Sequence, residues 1–373
     1  ARSRPVLRTT PRTPASRTRR FEPPPTTRLD RVTIPAAKVW GEMRNAAFYV
    51  IDGRGNGASI AINRLLRTGA RAAFLAAPMA LQGYTYPAGS IMVTEAKGVR
   101  ETVESVARDL GLRATATSDR APADARPIGR TRLGLYKPWV ESIDEGWTRW
   151  VLEQYEFEFE NVADADIRQG GLRQRFDAIV LPDMGAERML SGHVPGTMPG
   201  PYVGGLGMEG ADMLRQFVEA GGTLITLDSS SELAVSLLGA PLRDVTRGLS
   251  ANEFFCPGSI VKIELDEDPL TYGMPRETAG FCSFNTAYEV AARSSAAAAA
   301  GPVSTARIIG RYAKSNVLMS GWLEGEKVIA GKGAMMEVRS GQGRAVLFAF
   351  RPQHRGQAHA TFRLFFNAIH TSK

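Results

Sequence analysis

The sequence predicts an α/β protein, an open sheet carrying helices and preceded by a smaller α/β unit. Three stretches predict it. Residues 208–232 read as a helix with Met208, Ala211, Leu214 and Phe217/Val218 at helical spacing, a stop at Gly221-Gly222, an apolar strand at 223–227 and a polar turn Asp228-Ser229-Ser230 that can open another helix. Residues 176–183, Phe-Asp-Ala-Ile-Val-Leu-Pro-Asp, form a second buried strand ending at a proline. Residues 343–353 form a third, ending in the polar cluster Arg351-Pro352-Gln353. Unbroken apolar runs of this length suit parallel strands covered on both faces.

Composition bounds the class. A chain of 373 residues with 43% hydrophobic content suits a globular protein of about two domains. No apolar run approaches the roughly 20 residues of a membrane helix. The net charge of +8 is local, because residues 1–20 hold seven arginines and no acid, which leaves +1 for the rest. Together with Pro5, Pro11, Pro14 and Pro23-Pro24-Pro25, this makes residues 1–44 a disordered Arg/Pro-rich arm. The arm lacks a signal peptide's apolar core. Its alternative role is contact with an acidic surface or nucleic acid, which a nearly neutral body does not favour.

Residues 45–129 form the smaller α/β unit. Strand 47–52, helix 58–66 and strand 70–75 make a βαβ order, and strand 90–94, a helix with Val99, Val103, Val106/Ala107 and Leu110, and strand 113–117 follow. Between the first strand and helix lies Asp52-Gly-Arg-Gly-Asn-Gly57. Its glycines and the following helix N-terminus could cradle a phosphate, but G-x-G-x-G lacks the third glycine of the dinucleotide pattern and the Lys-Ser/Thr of a P-loop. A tight turn is the simpler reading.

The polar, proline-bearing stretch 118–130 is the boundary, and residues 130–373 hold the main α/β domain with β-rich additions. Strand 132–137 leads to a helix on which Trp147, Trp150/Val151 and Gln154/Tyr155 mark a core face, so the tryptophans are most simply core anchors, with stacking on a sugar by Trp139 or Trp147 as the alternative. Residues 183–210 form a long Gly/Pro-rich loop at the carboxyl edge of the sheet, containing His193. Beyond Leu242 come strands 259–265, 306–311 and 316–320, a loop at 287–300 with Ala296–Ala300, and a hairpin turning at Ser340-Gly-Gln-Gly343. A last helix, 358–369, presents Phe362, Phe365/Phe366 and Ile369 on one face. Cys256 and Cys282 read as buried thiols, with a disulfide as the alternative.

In an open α/β sheet, functional groups project at the carboxyl ends of the strands. The ligand-binding candidates are therefore Asp228, Ser229, Ser230, His193, Arg351 and His354. An Asp beside an Arg is expected to have a lowered pKa, which suits a nucleophile or a ligand anchor better than a general acid.

This order of strands and turns resembles the class I glutamine amidotransferase-like (flavodoxin-like) fold. There the strand-helix turn carries a nucleophilic Cys, and the late strand ends in a His-Pro-Glu segment. The matching positions here are Asp228 (or Ser229), Arg351, Pro352 and Gln353, so every catalytic position is degenerate. Amide hydrolysis needs a thiolate, an imidazole to take its proton and a carboxylate to orient that imidazole. The resemblance thus implies a pseudoenzyme with no catalytic residue; a hydrolase-like enzyme using Asp228 is the alternative.

The segments Leu135-Tyr-Lys-Pro-Trp139, 146–157, Asn252-Glu-Phe-Phe-Cys-Pro-Gly-Ser259 and 350–362 look like the C-terminal region of bacterial zinc carboxypeptidase-like proteins. The likeness covers about residues 45–373 and omits the peptidase domain. No histidine here begins a His-x-x-Glu zinc motif, although a site assembled from His193, His354 and His359 stays open. The resemblance implies an accessory, scaffolding or binding role, zinc in the absent peptidase domain and no cofactor or metal in this chain. It also implies a zinc carboxypeptidase domain or chain as partner, a peptide or glycan as ligand, and an extracytoplasmic location.

Overall fold

The computed structural model describes residues 37–283, 286–291 and 304–372. Residues 35–373 form one compact unit built on two sheets, with a separate β-hairpin. The class is mixed α/β, as the sequence predicts.

The smaller sheet contains β1 (Val39–Trp40), β2 (Phe48–Ile51), β3 (Ala72–Phe74), β6 (Ile91–Thr94), β7 (Ala114–Thr117) and β8 (Arg126–Ile128), in the order β1-β7-β2-β6-β3-β8. The hairpin β4 (Met79–Leu81) and β5 (Tyr84–Tyr86) stands beside it. Helix α1 (Gly57–Arg67) joins β2 to β3, but β6 inserts between them, antiparallel to both. The expected βαβ unit is therefore a split one, with α2 (Val99–Leu110) making the second crossover to β7. Two boundaries move. Val39 and Trp40, read as arm, pair with β7, and the polar break at 118–130 contains strand β8. The rest of the arm, residues 1–36, lies outside the described residues.

The larger sheet begins with five parallel strands: β9 (Leu133–Tyr136), β10 (Phe159–Val162), β11 (Ala178–Leu181), β12 (Thr223–Leu227) and β20 (Gly343–Phe348), arranged β10-β9-β11-β12-β20. Numbered along the chain, that order is 2-1-3-4-5. Antiparallel β19 (Gly333–Ser340), β17 (Thr305–Tyr312), β14 (Ser259–Leu265) and β15 (Glu277–Cys282) extend it from β20. Short strands β13 (Leu242–Asp244), β16 (Tyr288–Val290) and β18 (Leu318–Ser320) pair at its margin. β16 stands where a loop was expected; residues 292–300 of that stretch lie outside the described residues.

Alternation along the parallel strands feeds two cores. Leu135, Val180, Ile225 and Val346 face one side with Val151, Phe362 and Phe365. Tyr136, Ile179, Leu224 and Leu347 face the other with Leu214, Phe217 and Leu233. Helix α3 (Ile143–Gln154) buries Val151 and packs Tyr155 on the core as expected, but the buried face is rotated from its tryptophans: Asp144, Thr148 and Leu152 are buried, whereas Trp147 is half-buried and Trp150 is exposed and covers Gly356. Helices α4 (Asp164–Gln169) and α5 (Leu172–Arg175) lead from β10 toward β11.

The segment after β11 is more ordered than a long loop. Helix α6 (Ala186–Ser191) precedes a bridge from His193 to Gly204. Closure there requires glycine, since a Cβ on Gly192, whose φ is +59°, would lie 1.8 Å from the carbonyl oxygen of Gly204. Helix α7 (Gly207–Glu219) then ends as expected at Gly221, although Met208 is exposed. Helix α8 (Ser231–Leu237) follows the polar turn after β12. The C-terminal helix, Phe362–His370, is buried at all nine residues rather than along one face. Its second side meets the smaller unit, where Arg363 Nη1 donates to Ser59 Oγ at 3.1 Å, and within its own domain Asn367 Nδ2 donates to the carbonyl of Tyr272 at 2.9 Å.

Candidate functional site

Asp228 is the first residue past β12 and has φ +53°, the left-handed conformation that a sharp strand-to-helix turn demands and that a non-glycine residue rarely adopts. Ser230 and Ser231 hold the turn. Ser230 Oγ accepts from the Leu227 N–H at 2.8 Å and lies 3.0 Å from the Leu181 carbonyl, while Ser231 Oγ donates to the Phe348 carbonyl at 3.0 Å. These two hydroxyls bind β12 to its neighbours β11 and β20. Ser229 remains half-buried, and its N–H donates to Asp183 Oδ1 at 3.1 Å.

The ends of β11 and β20 bring the other groups. Arg351 Nη1 lies 3.4 Å from Asp183 Oδ2, and its Nε lies 3.5 Å from Asp228 Oδ2. Gln353 turns instead to α3: its Nε2 donates to Asp144 Oδ2 at 3.0 Å and to Thr148 Oγ1 at 2.9 Å. Asp144 Oδ2 also accepts from the Asp183 N–H at 2.9 Å. Asp228, Arg351, Asp183, Asp144 and Gln353 thus form one buried polar knot at the carboxyl edge of the sheet.

Its electrostatics reverse the expectation for Asp228. Burial, reinforced by Asp183 and Asp144, raises its pKa well above the usual carboxylate range, and Arg351 only partly opposes this. At 3.5 Å the guanidinium is too far for a short charge-assisted bond, so desolvation wins. Burial likewise pushes Asp144 up to about 6 despite its hydrogen bonds. Asp228 is 2% exposed. Among the described residues, Asp228 Oδ1, Arg351 Nε and Gln353 Oε1 have no hydrogen-bond partner.

Among the described residues, neither histidine candidate hydrogen-bonds to this knot through its ring, although the Arg351 charge reaches His354. His354 stacks on Phe281 with ring centroids 4.0 Å apart, and burial lowers its pKa to about 4. His193 places Nε2 3.2 Å from the carbonyl oxygen of Trp139. His359 rests on Phe362, with ring centroids 4.7 Å apart. Among the described residues, no group of three His, Cys, Asp or Glu side chains is placed to hold a metal ion.

A second, accessible feature lies beyond β9 and β11, where the strand order reverses. Trp139 and Tyr202 are each 39% exposed and meet edge to face with centroids 4.7 Å apart. The bridged segment from His193 to Gly204 supplies the tyrosine. By contrast, the glycine-rich loop at 52–57 is turned to internal use. Arg54 pairs with Asp52 at 2.5 Å, and Asn56 Nδ2 donates to the His359 carbonyl at 2.9 Å.

Cys256 and Cys282 are buried thiols, Cys256 Sγ lying 3.7 Å from the Cys282 carbonyl oxygen. Sequence reasoning did not identify Asp144, Thr148 or Tyr202, and it noted Asp183 only as a strand end. The signal for Asp183 was its place directly after Leu-Pro at the end of a buried strand. Among the described residues, no helix is long and apolar enough to cross a membrane.

No family model matches the sequence, and no curated protein matches it. Among solved structures, a cytoplasmic protein from Salmonella typhimurium is similar at 12% identity over 64% of this chain and 97% of that one, with a TM-score of 0.38. A protein described as a GMP synthase component from Thermoplasma acidophilum is similar at 9% identity over 64% of this chain and 94% of that one, also at 0.38. A β-galactosidase from Bacillus circulans sp. alkalophilus is similar at 13% identity over 65% of this chain, with a TM-score of 0.35; the match spans 31% of that enzyme's length.

Proposed function

We propose that residues 130–373 are a class I glutamine amidotransferase-like, flavodoxin-like domain without catalytic function, serving as the scaffolding or ligand-binding part of a zinc carboxypeptidase-like protein. The parallel order 2-1-3-4-5 supports the fold reading. The observation that carries catalytic silence is the knot around Asp228. The turn that would present a nucleophile holds a buried carboxyl favouring its protonated form, and the position that would supply a base holds Arg351. The N–H after the turn residue, suited to steadying a developing oxyanion, is donated to Asp183.

Binding is assigned to the accessible edge. Trp139 and Tyr202 offer an aromatic corner at the reversal of strand order, a place where open α/β sheets bind ligands, and it suits a glycan ring or an aromatic peptide side chain. The zinc chemistry belongs in this proposal to a partner domain or chain, and the location is extracytoplasmic.

The test is to isolate the chain from its source, determine intact mass, metal content and co-purifying chains, and assay it alone on C-terminally blocked and unblocked peptides. A stoichiometric zinc-bearing peptidase with no turnover by this chain supports the proposal. Zinc-dependent removal of C-terminal residues by the isolated chain overturns it. Turnover lost in Asp228→Asn would instead favour the hydrolase reading.

A further inference from the structure

Away from the Asp228 knot, one face of the antiparallel extension gathers guanidinium groups around a single carboxylate. Residues 337 and 339 share a face of β19; Arg307 stands opposite Glu337 on β17, and Arg344 opposite Arg339 on β20. Like charges directly opposed across strands are unfavourable, so the pair Arg339–Arg344 needs compensation. Glu337, whose side chain is fully buried, provides it. Arg307 Nε reaches Glu337 Oε2 at 2.8 Å, Arg339 Nε reaches the same oxygen at 3.2 Å, and Arg344 Nη1 reaches Oε1 at 2.9 Å. Arg307 Nη1 also pairs with Asp268 at 2.6 Å.

This array lines a cavity of about 600 Å³ that Arg126 of β8, Phe74 of β3 and His370 close from the other sides. The volume is that of a small-molecule site. Glu337 and Asp268 are the carboxylates paired with Arg307, Arg339 and Arg344, and Arg126 pairs with neither, so the four arginines that line the cavity carry two positive charges more than these two carboxylates compensate. Glu267, which also lines it, pairs with Arg276 at 2.5 Å. Among the described residues, Arg126, Arg307 Nη2 and Arg339 Nη1 have no protein acceptor. His370, 4% exposed, has an unpartnered Nε2, and Phe74 and Pro127 add an apolar wall.

From this geometry we infer that the cleft between the two sheets binds a small phosphate monoester, its dianionic group on Arg126, Arg307 and Arg339 and its organic part against Phe74. Guanidinium forks match phosphate oxygens in pairs, and Glu337 holds two of the three binding arginines, Arg307 and Arg339, before any ligand arrives, which lowers the ordering cost of binding. Two surplus charges match a dianion. The inference does not depend on whether Asp228 is silent.

Titration calorimetry of the full chain with phenyl phosphate and with inorganic phosphate, at constant ionic strength, tests it. The expected result is one saturable site that prefers phenyl phosphate and weakens at least about tenfold in Arg126→Ala/Arg339→Ala. Arg126→Ala alone leaves the Glu337 network intact and is expected to weaken binding in a chain with unchanged melting, should the double variant fail to fold. Absence of saturable binding, or equal binding by wild type and Arg126→Ala, overturns the proposal. Equal affinity for the two probes overturns the role given to Phe74.

Discussion

Arg351 Nε stands 3.5 Å from Asp228 Oδ2, and this ion pair does not keep the carboxyl at its ordinary acidity. Burial and the neighbouring Asp183 and Asp144 outweigh one loosely placed guanidinium. Folding therefore raises the pKa of Asp228, and the folded chain holds its proton where the unfolded chain has released it. Stability from this group is present below the unfolded value near 4 and declines as pH rises toward the folded value. Asp228→Asn removes that dependence. The melting temperature of the variant minus that of wild type is expected to increase steadily as pH is raised from about 4; a difference independent of pH would show that Asp228 titrates normally.

His354 behaves in the opposite sense. Its imidazole lies against Phe281 and its pKa falls to about 4, so the folded state keeps it neutral while the unfolded state takes up a proton below about 6.5. Acidification thus costs the wild type stability that His354→Phe does not lose. Between pH 7 and pH 5 the stability of His354→Phe relative to wild type is expected to improve by about 2 kcal/mol, read from urea unfolding at each pH.

Glu337→Ala leaves three guanidinium groups around a vacated acceptor, of which Arg344 is the most buried. Removing one partner from such a network costs about 3–5 kcal/mol. Chemical denaturation is expected to show a loss of that size for Glu337→Ala and a smaller loss for Glu337→Gln, whose carbonyl still accepts a hydrogen bond.

Glu156 joins the smaller unit to the larger. Arg64 Nη2 meets it at 2.7 Å and Arg67 Nη1 at 2.8 Å, and the carboxylate is partly solvated. Solvent screening makes such a pair weak individually, so Glu156→Ala is expected to cost about 1 kcal/mol in low salt and less in high salt. A loss unaffected by salt would assign the effect to packing.

What the sequence made legible follows from how locally each feature is encoded. β11, β12 and β20 are covered on both faces and appear as unbroken apolar runs. The β19–β20 turn and the stop after α7 are marked by glycine. The insertion of β6 between β2 and β3 depends on non-local pairing, which leaves no mark in either strand. On α3 the tryptophans suggested an apolar face, whereas the buried side carries Asp144 and Thr148 because Gln353 needs acceptors there. The lowered acidity of Asp228 was hidden for a similar reason: Arg351 is visible in the sequence, but the enclosing residues that outweigh it come from other elements.

The nine-residue helix Phe362–His370 touches helix α1 of the smaller unit through Arg363 and Ser59 and supplies Phe362, Phe365 and Phe366 to a core of the larger sheet. These residues are made after nearly everything they cover. During synthesis on the ribosome, both earlier surfaces must therefore wait unsealed until residue 370 leaves the exit tunnel.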